Sequence, residues 1–423
     1  MKKQAKQFIA TILSWQVRRL RNKNNFKIIA VVGSYGKTST KLAIAQALQH
    51  KQRVQYQHGN YNDIVTIPLV IFGQTLPSLF NPLAWMRTFI KNEAIIRNTY
   101  PFDVVVVELG TDGPGQIAQF AKYLHVDFAV VTAVAPEHME FFKSLDAVAA
   151  EELAVSKFSS VVLVNSDLVD SSYMGMVEHN GLQSYGLVSG NYKATYTKGS
   201  LSIQLNNQTI ANIDANLPSR AQQYSALAAL TVCHQLLGMN QEEMQAAIKN
   251  IQPVAGRMQV LQGIKGSTII DDTYNASPDA MISALDTLQS MNAPQKIALL
   301  GNMNELGEFS QKAHTAVGEH CDASKVNLVI TLGPDANTWL ADAAEKKGCK
   351  VIRTNSPYEV ADLIKQHLQK GAVILAKGSQ NNVYAEEAIK QLLANESDAA
   401  KLVRQSPNWL KVKSKNFKNY NQQ

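Results

Sequence analysis

Gly33-Ser34-Tyr35-Gly36-Lys37-Thr38-Ser39 lies between the apolar run FKIIAVVG and the helically spaced KTSTKLAIAQALQH. Glycines let backbone amides close around phosphate oxygens, and a helix N-terminus adds positive potential. Lys37 can then reach terminal phosphates, and the Thr38 hydroxyl can hold magnesium. This is the chemistry of an ATP loop, with Gly33, Ser34, Gly36, Lys37, Thr38 and Ser39 as its candidate nucleotide-binding residues. The usual phosphate loop has a glycine where this chain has Val31. Glu108, closing the run FDVVVVELG, is placed to share a magnesium ion with Thr38. Further along, Arg257 offers a planar cationic fork suited to phosphate, and Asp272, ending STIIDD, can accept hydrogen bonds from ribose hydroxyls. Read without context, each is also a surface ion-pair partner.

Positioning such residues requires a parallel sheet. FDVVVVELG, VDFAVVTAV and SSVVLVNSD are continuous apolar runs separated by helix-like segments, the pattern of strands covered on both faces. Residues 192–215 instead alternate polar and apolar between turn residues, which predicts a small antiparallel appendage. Helices near 220–237 and 240–251 close this first domain. After VAGRMQV the runs STIIDD, KIALLGNM, NLVITLG, KVIRTN and GAVILAKGS predict a second, smaller Rossmann-like α/β domain. The organisation read from sequence is a basic amphipathic segment over 1–25, an ATP-binding α/β domain over 26–252, a second α/β domain over 253–400, and a partly ordered basic tail over 401–423.

A chain of 423 residues, 45% hydrophobic and 18% charged, can bury more than one core. Its formal charge of +7 comes largely from the two ends, so nucleic acid is not an expected partner. Cys233, Cys321 and Cys349 are far apart and form no CxxC pair, which suits a reducing compartment, the cytoplasm. In the N-terminal segment, Phe8, Ile9, Ile12, Leu13, Trp15 and Leu20 share one helical face. That face has two readings: peripheral contact with the inner face of a membrane, or packing on the first domain. The segment is too short and interrupted to span a bilayer.

Several motifs in order resemble the Mur ligase family of bacterial cell-wall synthesis: the GxxGKT loop, Glu108 in VVVELGTDGPGQI, His138 in APEHMEFFKSLDAVAAEEL, Gly256-Arg257, DDTYNASPDAM, LGNMNELGEFSQKAH and LAKGS. The match runs from about residue 26 to about residue 395 and looks most like the members that add D-alanyl-D-alanine to a UDP-muramoyl-tripeptide. The resemblance implies an ATP- and Mg2+-dependent ligase that activates a carboxylate as an acyl-phosphate, which an amine then attacks. It implies a hinge near 252–257, a monomer, and a small-molecule or nucleotide-sugar peptide as acyl substrate. By the same resemblance, Lys37 and His138 are catalytic and Thr38, Glu108 and His138 hold metal. Gln222 and Asn275 join Arg257 and Asp272 at the nucleotide, while Asn60, Asn62, Lys377 and Ser379 face the substrate. Asn60 and Asn62 also suit an ordinary turn.

The chain departs from the family pattern at four places. Only about 25 residues precede the first strand, where the resemblance would put a UDP-binding domain. Gln222 stands for an asparagine, Asn302 for an aspartate, and Gln380 for an arginine. Where many members carry a carbamylated lysine, fourteen residues after His138, the chain has Glu152, with Glu151 beside it. Glu152 is thereby a candidate catalytic carboxylate; both glutamates also suit a solvated helix face. The alternatives left open are a ligase for another amino acid or peptide, such as a poly-γ-glutamate synthase-like enzyme, and a non-catalytic ATP-binding protein.

Overall fold

The computed structural model describes residues 2–57, 62–177 and 181–417. The chain forms two compact units. One comprises Met1–Ala135, Phe141–Leu217 and Gln222–Gln252; the other comprises Pro136–Glu140, Pro218–Ala221 and Pro253–Gln423.

The first unit carries a nine-stranded sheet. Its strands are β1 (Lys27–Val32), β2 (Val54–Tyr56), β3 (Val104–Glu108), β4 (Phe128–Val131), β5 (Val162–Asn165), β6 (Leu182–Gly186), β7 (Tyr192–Thr197), β8 (Ser200–Leu205) and β9 (Gln208–Asp214), in the order β2-β3-β1-β4-β5-β6-β7-β8-β9. Strands β1 to β6 pair in parallel and are almost wholly buried where the sequence shows unbroken valine and isoleucine runs. The antiparallel residues 192–214 extend this sheet, because β7 pairs in parallel with β6 before β7, β8 and β9 turn back on one another. Lys198-Gly199 and Asn206-Asn207 all have positive φ, the geometry of the tightest two-residue hairpins. The helix Arg220–Leu237 and its capping-box neighbour Gln241–Ile248 bury apolar faces against the sheet.

At the N-terminus, α1 (Lys2–Lys23) is followed after β1 by α2 (Lys37–Leu48), then α3 (Thr66–Ile71) and α4 (Pro82–Arg97), which starts at Pro82 with the Asn81 side chain accepting from the Ala84 amide. Helix α1 buries Ile9, Leu13, Val17 and Leu20, with Ile9 and Leu13 in a cluster that includes Leu69 and Trp85. The face that suited a membrane in the sequence is therefore divided: Ile9, Leu13 and Leu20 pack inward, and only Phe8 and Trp15 are exposed. Packing against α3 and α4 buries the inward apolar stripe and satisfies Gln16, which donates to the Phe89 carbonyl at 3.0 Å.

The second unit holds β10 (Gln259–Gln262), β11 (Thr268–Asp272), β12 (Lys296–Gly301), β13 (Leu328–Leu332), β14 (Val351–Thr354) and β15 (Val373–Lys377), ordered β10-β11-β15-β12-β13-β14. Alternate residues feed two cores: Ile269, Leu299 and Ile374 on one face, Ile270, Leu300 and Leu375 on the other. Residues 407–416 form a helix whose Lys413 is fully buried, 2.8 Å from Glu386 and 2.7 Å from Glu387. Charge pattern alone reads as solvated; two acidic partners at the start of the helix Ala385–Lys390 draw the lysine inward.

Candidate active site

The loop from Gly33 to Gly36 joins β1 to α2 at the C-terminal edge of the parallel strands. Gly33 has φ +127°, and a β-carbon there would lie 2.3 Å from the Thr132 hydroxyl, so only glycine fits. Gly36 caps α2 in the left-handed region, leaving the first-turn amides without intrahelical partners. Ser34 is committed to the loop itself: its hydroxyl donates to the Ala135 carbonyl at 3.0 Å and accepts from the Ala135 amide at 2.9 Å. Lys37 donates to the Gly33 and Ser34 carbonyls, which curls its ammonium over the loop. Ser39 follows in the first turn, half-buried.

Thr38 and Glu108 meet as the sequence suggested, with the hydroxyl donating to the carboxylate at 2.9 Å. Lys41, fully buried one helical turn on, stands 3.4 Å from the same carboxylate oxygen. Its position was missed in the sequence, where a lysine inside an apolar helix face reads as solvated. Asn62 lies against the end of β3: a β-carbon on Gly110 would fall 1.7 Å from its side-chain nitrogen, so its amide covers the Gly110 backbone beside Glu108. Asn60 lies outside the described residues.

The two adjacent glutamates are not a solvated face, since both are buried. Glu152 reaches the phosphate loop, accepting from the Gly33 amide at 2.7 Å. Glu151 turns to the other loop, accepting from the Gly115 and Ile117 amides at 2.5 and 2.6 Å and from the Thr111 hydroxyl at 3.1 Å. Adjacent helix positions diverge by about 100°, so one glutamate can brace each loop. The helix Leu145–Leu153 that carries them is capped by Ser144.

His138 groups with the second unit and has a positive φ of 50°. Its Nδ1 is 3.1 Å from Glu305, and its Nε2 is 3.6 Å from Glu137. The imidazole holds the Glu305 carboxyl below the usual glutamate range. Glu305 was not singled out in the sequence. Among the described residues no cluster of three or more His, Cys, Asp or Glu side chains suits a metal. The pair Thr38 and Glu108 nevertheless supplies hard oxygen donors of the kind magnesium takes alongside phosphate and water.

In the second unit Asp272 and Lys377 are direct neighbours across β11 and β15, at the C-terminal ends of both strands. Their charges form a buried pair at 2.6 Å, and Lys377 also donates to the Asn275 carbonyl at 2.9 Å. Burial lowers the Lys377 pKa against the opposing pull of Asp272. Asp272 also accepts from the Met258 amide at 3.1 Å, so the alternative of a surface ion pair does not hold. Arg257 stacks on Tyr274, its guanidinium carbon 4.1 Å from the ring centre, and its buried Nε has no hydrogen-bond partner among the described residues. Ser379 accepts from the Asn304 amide at 2.9 Å. Asn302, where an aspartate was expected, accepts from the Ala336 amide at 2.8 Å and so serves its own domain. Gln222 lies part-exposed in the first turn of Arg220–Leu237.

A phosphate loop on a parallel sheet, joined in sequence to a Rossmann-like unit with its polar cluster at the strand ends, defines a two-domain nucleotide-dependent enzyme. The Mur ligase middle-domain model matches residues 31–233 and the Mur ligase glutamate-ligase-domain model matches residues 256–380. The chain belongs to the Mur ligase family and is an ATP-dependent carboxylate–amine ligase. It is similar to the UDP-N-acetylmuramoyl-tripeptide–D-alanyl-D-alanine ligase of Haemophilus influenzae, with 26% identity over 86% of this chain and 76% of that one. The ligase of the same name from Bacillus subtilis shares 25% identity over 87% of this chain and 76% of its own length. Among solved structures, MurF of Thermotoga maritima in complex with ADP superposes with a TM-score of 0.73, at 24% identity, over 93% of this chain and 84% of that one. MurF of Acinetobacter baumannii gives 0.71 at 20% identity, over 92% and 79%.

Proposed function

We propose that this ligase joins D-alanyl-D-alanine to the terminal carboxylate of a muramoyl-tripeptide in peptidoglycan precursor synthesis, in the cytoplasm. The observation that carries the nucleotide chemistry is the Thr38–Glu108 pair at the first turn of α2, directly after a loop that only glycine can form at Gly33. The similarity to ligases of that name, spread over both units, supports the choice of substrates. In the reaction, a carboxylate oxygen bonds to the γ-phosphorus of ATP and ADP leaves. The amine then attacks the acyl carbon, and inorganic phosphate leaves as the amide forms.

Within this proposal the loop amides after Gly33 and Gly36 and the Lys37 ammonium bind and orient the phosphates. Thr38 and Glu108 would hold a magnesium ion, which would neutralise phosphate charge. Glu152 keeps the Gly33 amide in place and adds a permanent negative charge beside the loop. Arg257, Asp272 and Asn275, with Gln222, contribute nucleotide contacts; Asn62, Lys377 and Ser379 contribute substrate contacts, and His138 acts with Glu305 beside it.

The test is phosphate release with product mass spectrometry, using UDP-muramoyl-tripeptide, the same tripeptide without UDP, and free dipeptides, each with D-alanyl-D-alanine or L-glutamate as amine. A product heavier by one D-alanyl-D-alanine from either muramoyl-tripeptide is the expected result. Turnover only with glutamate or a free dipeptide would overturn the assigned substrates.

A further inference from the structure

Helices α1 and α4 lie side by side and run in the same direction. Gln16 donates to Phe89 and Glu93, Arg19 pairs with Glu93 at 2.7 Å, and Lys23 donates to the Arg97 carbonyl, so contacts advance together along both helices. Trp85, Thr88, Asn92 and Ile96 form the buried stripe of α4. Leu83, Met86 and Ile90 lie on the flank beyond Phe89 and Glu93, while Phe8 and Trp15 lie beside Gln16 and Arg19 on the matching flank of α1. In two parallel helices these flanks share one outward face. Its large apolar side chains, with Phe80 from the segment preceding α4, are between 50% and 73% exposed. Contiguous exposure of this kind marks an interaction surface.

The charges around this face have one sign. Among the described residues of α1, α4 and the segment 73–81, the only carboxylate is Glu93, and Arg19 and Gln16 already hold it. Arg87 and Lys91 are exposed on α4 between its apolar positions. The Arg19 guanidinium lies 4.3 Å above the Trp15 ring, an aromatic and cationic pairing suited to the level of lipid headgroups. Along α1 the face continues through Arg18 into a cleft of about 690 Å³, also lined by Arg21, Lys23, Lys122, His125 and Lys157. Arg18, Lys122 and Lys157 have no carboxylate partner among the described residues. Among the described residues no helix is long and apolar enough to cross a membrane.

We propose that this composite face docks on an anionic lipid surface, with Phe80, Leu83, Met86 and Ile90 entering the acyl boundary and the cationic cleft holding headgroup phosphates. It is a different surface from the inward stripe of α1, and it is independent of which substrate the ligase uses. An apolar face ringed by cations and lacking free carboxylates fits a bilayer, whose acyl region has no fixed shape and whose headgroups carry the opposite charge.

The experiment is flotation of the full chain with phosphatidylcholine vesicles and with vesicles of phosphatidylcholine and phosphatidylglycerol in equal parts, alongside sedimentation velocity without lipid. Wild-type protein should float with the anionic vesicles and not with phosphatidylcholine alone. The double variant Phe80→Ser/Ile90→Ser and the double variant Arg18→Glu/Arg87→Glu should each lower the bound-to-free ratio by about tenfold or more, with unchanged melting temperature and ATP turnover. Failure of the wild type to float with anionic vesicles overturns the proposal, as does flotation that both variants leave intact. A lipid-independent dimer that Phe80→Ser/Ile90→Ser converts to monomer, with no vesicle binding, would assign the face to a second copy of the chain instead.

Discussion

The Glu152 carboxylate accepts the Gly33 amide at 2.7 Å, so a buried acid on one helix is tied to the first residue of the phosphate loop. This bond gives Glu152 two separable duties, bracing the loop through an oxygen acceptor and supplying a negative charge. Glu152→Gln keeps an acceptor and removes the charge. If the charge serves the chemistry, kcat falls by about ten- to a hundredfold with the KM for ATP nearly unchanged. Glu152→Ala should raise the KM as well. Activity should not depend on bicarbonate, because no lysine needs carbamylation at this position. Silencing of the wild type by bicarbonate removal would refute that reading.

Lys37 lies half-buried over the Gly33 and Ser34 carbonyls, at the loop rather than among the residues of the main core. Lys37→Ala should therefore lower ATP turnover by at least about a hundredfold while far-ultraviolet circular dichroism and melting temperature stay close to wild type. Steady-state phosphate release on the folded variant decides it.

Gly33→Ala tests the loop by sterics. The added methyl would meet the Thr132 hydroxyl and the Ala133 backbone, and φ +127° is hostile to any L side chain. Nucleotide binding, read by calorimetric titration with ADP and magnesium, should be lost in this variant, whereas Gly115→Ala, where nothing lies within 4 Å, should retain it despite some strain from its positive φ.

Asp271 is buried beside Asp272, and burial raises its pKa to about 6 from an ordinary 3.8. The folded state binds this proton more tightly than the unfolded chain does. Its contribution to stability is thus greatest below about pH 4, declines as pH rises towards 6, and is constant above. Asp271→Asn removes that proton linkage, so the decline in melting temperature across this window should flatten relative to wild type. An identical slope in the two proteins would show that Asp271 is not the titrating group.

Arg404 forms two hydrogen bonds to Glu386, which is fully buried, and donates to the Thr273 and Tyr274 carbonyls at 2.6 and 3.0 Å. Arg404→Ala strands part of a buried charge network and should destabilise the second unit by about 3–5 kcal/mol, measured by urea unfolding. Because Thr273 and Tyr274 belong to the segment with Asp272 and Asn275, Arg404→Lys should recover much of the stability but less of the ATP affinity, since lysine lacks the planar fork.

Local pattern settled the elements and the loop. The unbroken runs of valine and isoleucine read as strands covered on both faces, and Gly33 to Ser39 between such a run and a helix reads as a phosphate loop despite Val31, because these are consequences of nearest-neighbour sterics and periodicity. The meeting of Thr38 with Glu108 was legible for the same reason, each residue ending or starting an element at one sheet edge. Which way Glu151 and Glu152 point was not: they are adjacent, and only the packing of their helix sends one carboxylate to Gly33 and the other to Gly115 and Ile117. Lys41 and Lys413 read as solvated charges because a lysine's burial depends on a carboxylate distant in sequence, here Glu108 and Glu386. The N-terminal helix likewise carries an apolar stripe in any reading, but only the partners α3 and α4 decided that Leu13 lies inside and Trp15 outside, since hydrophobic burial is set by whatever surface is near enough to exclude water.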